Sequence, residues 1–328
     1  MTPPSVVFAP NWLGDAVMAL PAVADFCRSR AGRPVHVAAR ASVAPIVSLF
    51  PGIERTVVLG DRASSIASLR SAGYGEALLL TNSFNTAWIA RRAGIPERYG
   101  YRNEGRGVLL TRAVVPPTRV HQVEYYQHLT SALGCARGDA TPRLAVPDEL
   151  RRRGEALLVE HGWDGKAPLV AVAPGAAFGT AKQWPTARYA AAIDALAREG
   201  VGAVLIGARA DVPASRQVQQ LATATLAPID LVGTTDLPML TAVLLQTRAL
   251  ITNDSGAMHV AAALGVNVTA VFGPTNEHET RPRGTGRLSV VHAETWCRPC
   301  MLRECPLTHR CMTKVAVQAV VEDVRAKL

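Results

Sequence analysis

Three short segments of this chain combine side chains and spacings that suit the handling of a phosphorylated substrate. Residues 250–259 read Leu-Ile-Thr-Asn-Asp-Ser-Gly-Ala-Met-His and run into an alanine-rich stretch at 260–264. A strand ending near Asn253 and a helix opening at Asp254-Ser255-Gly256 would aim free backbone N–H groups and a positive dipole end at a diphosphate. Gly256 permits close backbone approach, and Ser255 adds a hydroxyl. Asp254 suits a helix cap or an acceptor for a sugar hydroxyl. His259 lies four residues after Ser255, on the same helical face. The same residue types also make an ordinary capped helix with a structural histidine.

The second segment is Pro174-Gly175-Ala176-Ala177-Phe178-Gly179-Thr180-Ala181-Lys182-Gln183-Trp184-Pro185. Small residues after a strand, then Thr180 and Lys182, can offer N–H groups, a hydroxyl and an ammonium to phosphate oxygens. A fixed cation stabilises the charge that grows on a departing diphosphate. A lysine in such a loop otherwise faces solvent. The third segment is Asn11-Trp12-Leu13-Gly14-Asp15. Asp15 could take the proton from an attacking hydroxyl, with Gly14 leaving room for the incoming sugar. A carboxylate is a weak base, but it can accept a proton late, once the hydroxyl has bonded to an oxocarbenium-like carbon. The competing use of an aspartate here is as a helix N-cap.

These segments need a scaffold that presents strand ends. The first half predicts strands at 5–9, 35–39, 56–59 and 76–81, with helices at 16–30, 43–49, 64–71 and 86–93. Short strands alternating with helices indicate parallel βαβ units. A proline-marked polar stretch at 141–147 is followed by a helix capped by Asp148 and running to about Glu160, which places a domain boundary within 142–166. The pattern then restarts, with strands at 169–173, 201–206, 229–232, 250–253 and 268–272, a helix at 186–199 and a last helix at 315–327. The halves open alike, Val6-Val7-Phe8-Ala9-Pro10 against Val170-Ala171-Val172-Ala173-Pro174. The fold class is therefore α/β: two doubly wound, Rossmann-like domains, 1–150 and 151–328, facing across a cleft. Ligands of such sheets bind beyond the carboxyl ends of the strands, and all three segments follow strands directly.

Composition narrows the function classes. The 328 residues suit two cores, and 48% hydrophobic with 19% charged residues excludes disorder. The net charge of +9 favours anionic partners. Nucleic acid is set aside, because the basic runs are short and not interleaved with aromatics. No uncharged apolar run reaches the ~18 residues of a membrane span. The opening prolines and Val6-Val7-Phe8 read as a strand rather than a signal peptide, so a cytoplasmic location is expected. There is no Gly-x-x-x-x-Gly-Lys-Ser/Thr loop and no strand-borne Gly-x-Gly-x-x-Gly. Gly284-Thr285-Gly286 sits in a loop, which disfavours a nicotinamide dehydrogenase. Four of the six cysteines fall in 297–311 as Cys297-x2-Cys300-x4-Cys305-x5-Cys311, with His309 among them. They suit one structural zinc site, two local disulfides or reduced thiols packing a loop that pins the crossover before the last helix.

Asn11–Asp15, Pro174–Pro185, Thr252–His259 and Phe272-Gly273-Pro274-Thr275, in this order over nearly the whole chain, resemble the ADP-heptose:lipopolysaccharide heptosyltransferases, glycosyltransferase family nine. Asn11–Asp15 and Thr81-Asn82-Ser83-Phe84 are similar to the enzymes that add the second inner-core heptose rather than the first. The resemblance implies a GT-B fold, an inverting single displacement, and neither an obligatory active-site metal nor a cofactor. The implied partners are an ADP-heptose donor and a lipopolysaccharide inner-core acceptor. By motif match Asp15 becomes the base. Lys182 and Thr180 hold the diphosphate, while Asn11, Gly14, Asp254, Ser255, Gly256 and His259 line the substrates. The family's donor-contacting carboxylate maps loosely to Asp211, and the adenine wall to Thr235–Leu237. Peripheral contact with the inner leaflet of the cytoplasmic membrane follows from two anionic substrates and a basic chain. The alternatives are another transfer step of the same family, a sugar-nucleotide epimerase, or a non-catalytic nucleotide-sugar binding protein.

Overall fold

A computed structural model of the chain describes residues 2–224 and 226–328. It divides into two compact units, one ending at Ala145 and the other beginning at Val146, inside the 142–166 stretch expected from sequence. The first unit contains β1 (Ser5–Phe8), β2 (Val35–Arg40), β3 (Arg55–Leu59), β4 (Glu76–Leu79), β5 (Glu97–Tyr101) and β6 (Arg112–Val114). They form one all-parallel sheet in the order β3-β2-β1-β4-β5-β6. The second unit contains β7 (Leu169–Ala173), β8 (Gly202–Leu205), β9 (Ile229–Asp230), β10 (Ala249–Asn253), β11 (Asn267–Phe272) and β12 (Leu288–His292). Its parallel sheet runs β12-β11-β10-β7-β8-β9.

Counted from the first strand of each unit, the two orders are the same doubly wound arrangement. The direction of winding reverses between β1 and β4, and again between β7 and β10. These four strands, like β8, are buried at every position. That is why they read as mostly apolar runs. Each unit has its own core: Val6, Phe8, Leu79 and Ile95 with Leu69 in the first, and Val170, Val172, Ile251, Trp184 and Val320 in the second.

The differences from the sequence reading have local causes. The helix expected over 16–30 is two helices, Leu13–Met18 and Leu20–Ser29. Pro21 lacks the N–H that would carry one ladder across the join. β5, β6 and β12 were not predicted: Arg112–Val114 and Leu288–His292 are edge strands without a fully buried residue, so neither has an apolar run to detect. Asp148 does not cap its helix. Pro147 holds the cap position, and Asp148 and Glu149 lie in the first turn, where the helix dipole favours acids. The helix Asp148–Glu160 lies close against Leu237–Leu244; a methyl added at Gly154 would come within 2.6 Å of Ala242. The buried Val320, Val321 and Val324 of the last helix, Val317–Arg325, join the core of the second unit. Among the described residues, no helix is long and apolar enough to cross a membrane.

Candidate active site

In the second unit the loop after β7 and the helix after β10 meet where the strand order reverses. Their meeting point is Asn253, the last residue of β10 and completely buried. Its Oδ1 accepts hydrogen bonds from the Trp184 backbone N–H at 2.9 Å and the Tyr189 hydroxyl at 2.9 Å. Its Nδ2 donates to the carbonyls of Gly175 at 3.0 Å and Pro174 at 3.4 Å. One amide thus ties both ends of the Pro174–Trp184 loop to the tip of β10. Sequence reading treated Asn253 only as a strand end.

With the loop so anchored, the short 3-10 turn Thr180–Lys182 delivers Lys182 to Asp254. The Lys182 Nζ to Asp254 Oδ2 distance is 2.7 Å, and both side chains are largely buried. The Lys182 ammonium also lies 4.6 Å from the centre of the Phe178 ring, a cation–π contact. Asp254 was expected to cap the helix or receive a sugar hydroxyl. The structure instead gives the cap to Ser255, whose Oγ accepts from the Met258 N–H at 3.4 Å and lies 2.9 Å from the Thr252 hydroxyl. Thr252 in turn donates to the Asn253 carbonyl, so the Ser255 hydroxyl is already engaged rather than free. Gly256 opens the helix Gly256–Ala263, and His259 is buried within it.

Asp211 stands at the carboxyl ends of β7 and β8. A methyl at Gly175 would lie 2.0 Å from its carboxylate, and one at Gly207 would lie 3.0 Å away. Burial pushes the Asp211 carboxyl above its ordinary range, partly offset by the Ala208 N–H that it accepts at 2.8 Å. The structure therefore brings Asp211 to the same loop as Lys182. Leu237 is half-buried at the first turn of the helix Leu237–Leu244, which Asp236 caps.

In the first unit, Asp15 is not an N-cap. Trp12 holds that position without a side-chain bond, and Asp15 lies inside the first turn of Leu13–Met18, beyond β1. The fully buried Tyr126 phenol donates to Asp15 Oδ1 at 3.1 Å. Burial first, and the Asp15 charge second, hold that phenol well above its usual pKa, so it stays a donor. Tyr126 comes from Gln122–Ala132, a helix that sequence reading missed. Its neighbour Tyr125 packs edge-on against it at 5.5 Å and accepts from the Asn82 amide at 2.9 Å. The Thr81–Phe84 motif is thereby linked to the Asn11–Asp15 motif through two tyrosines. Asn11 and Gly14 are half-buried beside Asp15.

Cys297, Cys300, Cys305 and Cys311 line one cavity of about 190 Å³, together with Ala181 and Pro274. All four are free thiols, and among the described residues no three His, Cys, Asp or Glu side chains gather into a group able to hold a metal ion. His309 adopts a left-handed φ of 52° ahead of the turn Arg310–Thr313. Rather than only pinning the crossover before the last helix, this segment packs on the loops that follow β7 and β11. The Arg303 carbonyl accepts from the Ala181 N–H at 3.0 Å, the Met301 N–H donates to Pro274 at 2.9 Å, and Arg298 donates to Gly273 at 2.9 Å.

The chain thus carries two Rossmann-type sheets of one strand order, with a buried cation–carboxylate pair at the reversal of one and a tyrosine-held carboxylate at the reversal of the other. Residues 62–310 match the model for glycosyltransferase family 9 (heptosyltransferase). The chain is 32% identical over 299 residues to lipopolysaccharide heptosyltransferase 2 of Salmonella typhimurium, covering 84% of each chain. It superposes on the structure of Escherichia coli ADP-heptose lps heptosyltransferase II with a TM-score of 0.87 and 28% identity, over 98% of each. An E. coli heptosyltransferase solved with ADP-2-deoxy-2-fluoro heptose shares the fold at a TM-score of 0.74 and 18% identity, over 99% of each. The chain belongs to glycosyltransferase family 9 and is a glycosyltransferase.

Two stability outcomes follow from this geometry. Asn253→Ala leaves the Trp184 N–H and the Gly175 carbonyl without this partner in the interior, while Gln183 still donates to Pro174 and Tyr189 to Ala173, and should lower the urea-unfolding free energy by about 3 kcal/mol. A loss below about 1 kcal/mol would mean that the loop holds itself. Lys182→Met strands the Asp254 charge and should cost about 2 kcal/mol, whereas Lys182→Met with Asp254→Leu should recover at least half of that. Equal losses for the single and double variants would show that the pair is not coupled.

Proposed function

We propose that this enzyme moves a heptose from ADP-heptose onto the heptosyl-Kdo-lipid A inner core of lipopolysaccharide, with inversion at the anomeric carbon. The observation that carries this reading is the Lys182–Asp254 pair at the β7/β10 reversal, in a chain whose relatives are named as heptosyltransferases. Membership of that family sets aside the epimerase and the non-catalytic binding protein.

In this reading the second unit binds the donor and the first unit the acceptor. The ADP-heptose diphosphate meets Lys182, Thr180 and the backbone N–H groups at the start of Gly256–Ala263. Phosphate oxygens replace Asp254 as the partner of Lys182, and Asp254 turns to accept from a sugar hydroxyl. As the acceptor oxygen bonds to the anomeric carbon and the bond to the β-phosphate oxygen breaks, Lys182 stabilises the charge arriving on ADP. Asp15, held by Tyr126, takes the acceptor proton. Asp211 and Leu237 complete the nucleotide side of the site. Access to a lipid-anchored acceptor places the enzyme at the cytoplasmic face of the inner membrane, drawn there by its net charge of +9.

Asp15→Asn should lower transfer by at least ~100-fold while ADP-heptose still binds. The readout is mass spectrometry of products from core acceptors carrying zero, one or two heptoses, and the one-heptose acceptor should gain the new sugar. Unchanged turnover in Asp15→Asn would remove this carboxylate from the chemistry. Flotation with anionic liposomes should carry the protein upward at low salt and release it at ~0.5 M salt, where screening collapses surface attraction. Absence of low-salt binding would end the membrane part of the reading.

A further inference from the structure

The first unit contains a cavity of about 450 Å³ at the carboxyl ends of β1 to β4, lined by Asn11, Arg40, Ser42, Ser65, Thr81 and Asn85 among others. Its volume falls within the ~300–1,000 Å³ typical of small-ligand sites, and its wall includes Asn11 of the loop that carries Asp15. Three observations distinguish it from an incidental hollow.

Ser65 is 2% exposed, and its Oγ has no hydrogen-bond partner. A buried hydroxyl left unpaired costs about 1–3 kcal/mol, and a helical serine normally avoids this by bonding back to a carbonyl one turn earlier. Ser65 does not, although it sits in the first turns of Arg62–Ser71. Arg40, at the end of β2, is an exposed cation that makes no ion pair among the described residues. The nearby Arg62 is already committed, donating to Asn85 at 2.5 Å and lying over Trp88. Asp61, the acid nearest in sequence, is committed to capping Ser64.

The third observation is Arg106. Its guanidinium is completely buried and has no carboxylate partner. It donates only to carbonyls, those of Tyr101 at 2.8 Å, Thr81 at 2.5 Å and Ser83 at 3.4 Å, and its Nη2 is unsatisfied. Burial pushes its pKa down to about 10, still high enough to keep the charge. A buried cation without a counter-ion is costly, and this one hangs beneath Thr81, part of the cavity wall. An exposed arginine and an orphan hydroxyl thus line one polar pocket, with the buried Arg106 guanidinium bonded to the Thr81 carbonyl of its wall.

We propose that this cavity is an oxyanion subsite for the acceptor, in which Arg40 pairs with a carboxylate or phosphate carried on the acceptor sugar and the Ser65 hydroxyl donates to it. Arg106 contributes long-range positive potential from below. The proposal rests on the first unit being the acceptor side. Its role is to hold the acceptor by its charged substituent so that a neighbouring hydroxyl is presented to Asp15.

Calorimetric binding of a deacylated, anionic core oligosaccharide tests this without requiring turnover. Arg40→Gln should weaken binding by about tenfold, the scale of one charge-assisted hydrogen bond. Ser65→Ala should weaken it by about threefold to tenfold and should not lower the unfolding midpoint, since no protein group loses a partner. A purely structural serine would show the opposite pattern. Enzymatic removal of phosphate and chemical reduction of carboxylates on the oligosaccharide identify the source: the modification that reproduces the Arg40→Gln loss marks the bound group. In steady state, the acceptor KM of Arg40→Gln should rise in proportion while the ADP-heptose KM holds. Unchanged oligosaccharide binding in both variants, or no effect of either chemical modification, overturns the subsite. Arg40-dependent binding by a protein that transfers no heptose would keep the subsite and overturn the proposed reaction instead.

Discussion

The buried amide of Asn253 is the constraint on which the second unit's chemistry depends. A strand tip in the interior exposes backbone groups that must find partners, and here one side chain bonds three of them and a buried hydroxyl. It accepts from Trp184 and Tyr189 and donates to Pro174 and Gly175. Both ends of the loop after β7 are thereby tied to the end of β10. The Lys182 to Asp254 distance of 2.7 Å is a consequence of that tie. Free of it, a small-residue loop with Gly175 and Gly179 would have many conformations and its lysine would face water. Trp184 strengthens the anchor: it is fully buried, packs edge-on against Tyr189 at 4.9 Å and donates to Val315.

The first unit solves the same topological problem with different chemistry. Its reversal lies between β1 and β4, and the link is aromatic rather than ionic: Asp15, Tyr126, Tyr125 and Asn82 in sequence. Here the carboxylate of Asp15 accepts from a buried phenol, where Asp254 pairs with a lysine. The contrast is between a phenol-held carboxylate and an ion pair. It follows from what each strand end is given to bond with.

A second layer of control comes from the cysteine segment. Arg303 and Lys182 lie 5.1 and 4.6 Å from the centre of the same Phe178 ring, and a methyl at Gly179 would meet the Arg303 carbonyl at 2.2 Å. Gly179, with φ at 156°, therefore serves close approach of two backbones. The loops after β7 and β11 are both bonded to the 297–311 segment, which touches the Lys182 turn through Ala181.

The sequence alone determined the α/β class, the repetition of one architecture and the central strands. Buried parallel strands must be apolar along their whole length, and β7 was located to the residue for that reason. It also marked every segment that follows a central strand, because small and polar residues there break the apolar pattern. The edge strands β6 and β12 and the tyrosine helix Gln122–Ala132 left no such trace, since half-exposed elements tolerate mixed residues. What only the tertiary structure decided is pairing. That Asp254 meets Lys182, that Asp15 meets a tyrosine 111 positions away, that Asp211 reaches Gly175 and that Arg106 is buried without an anion all depend on which strands become neighbours. Strand order is set by packing across the whole sheet, and no local run of residues encodes it.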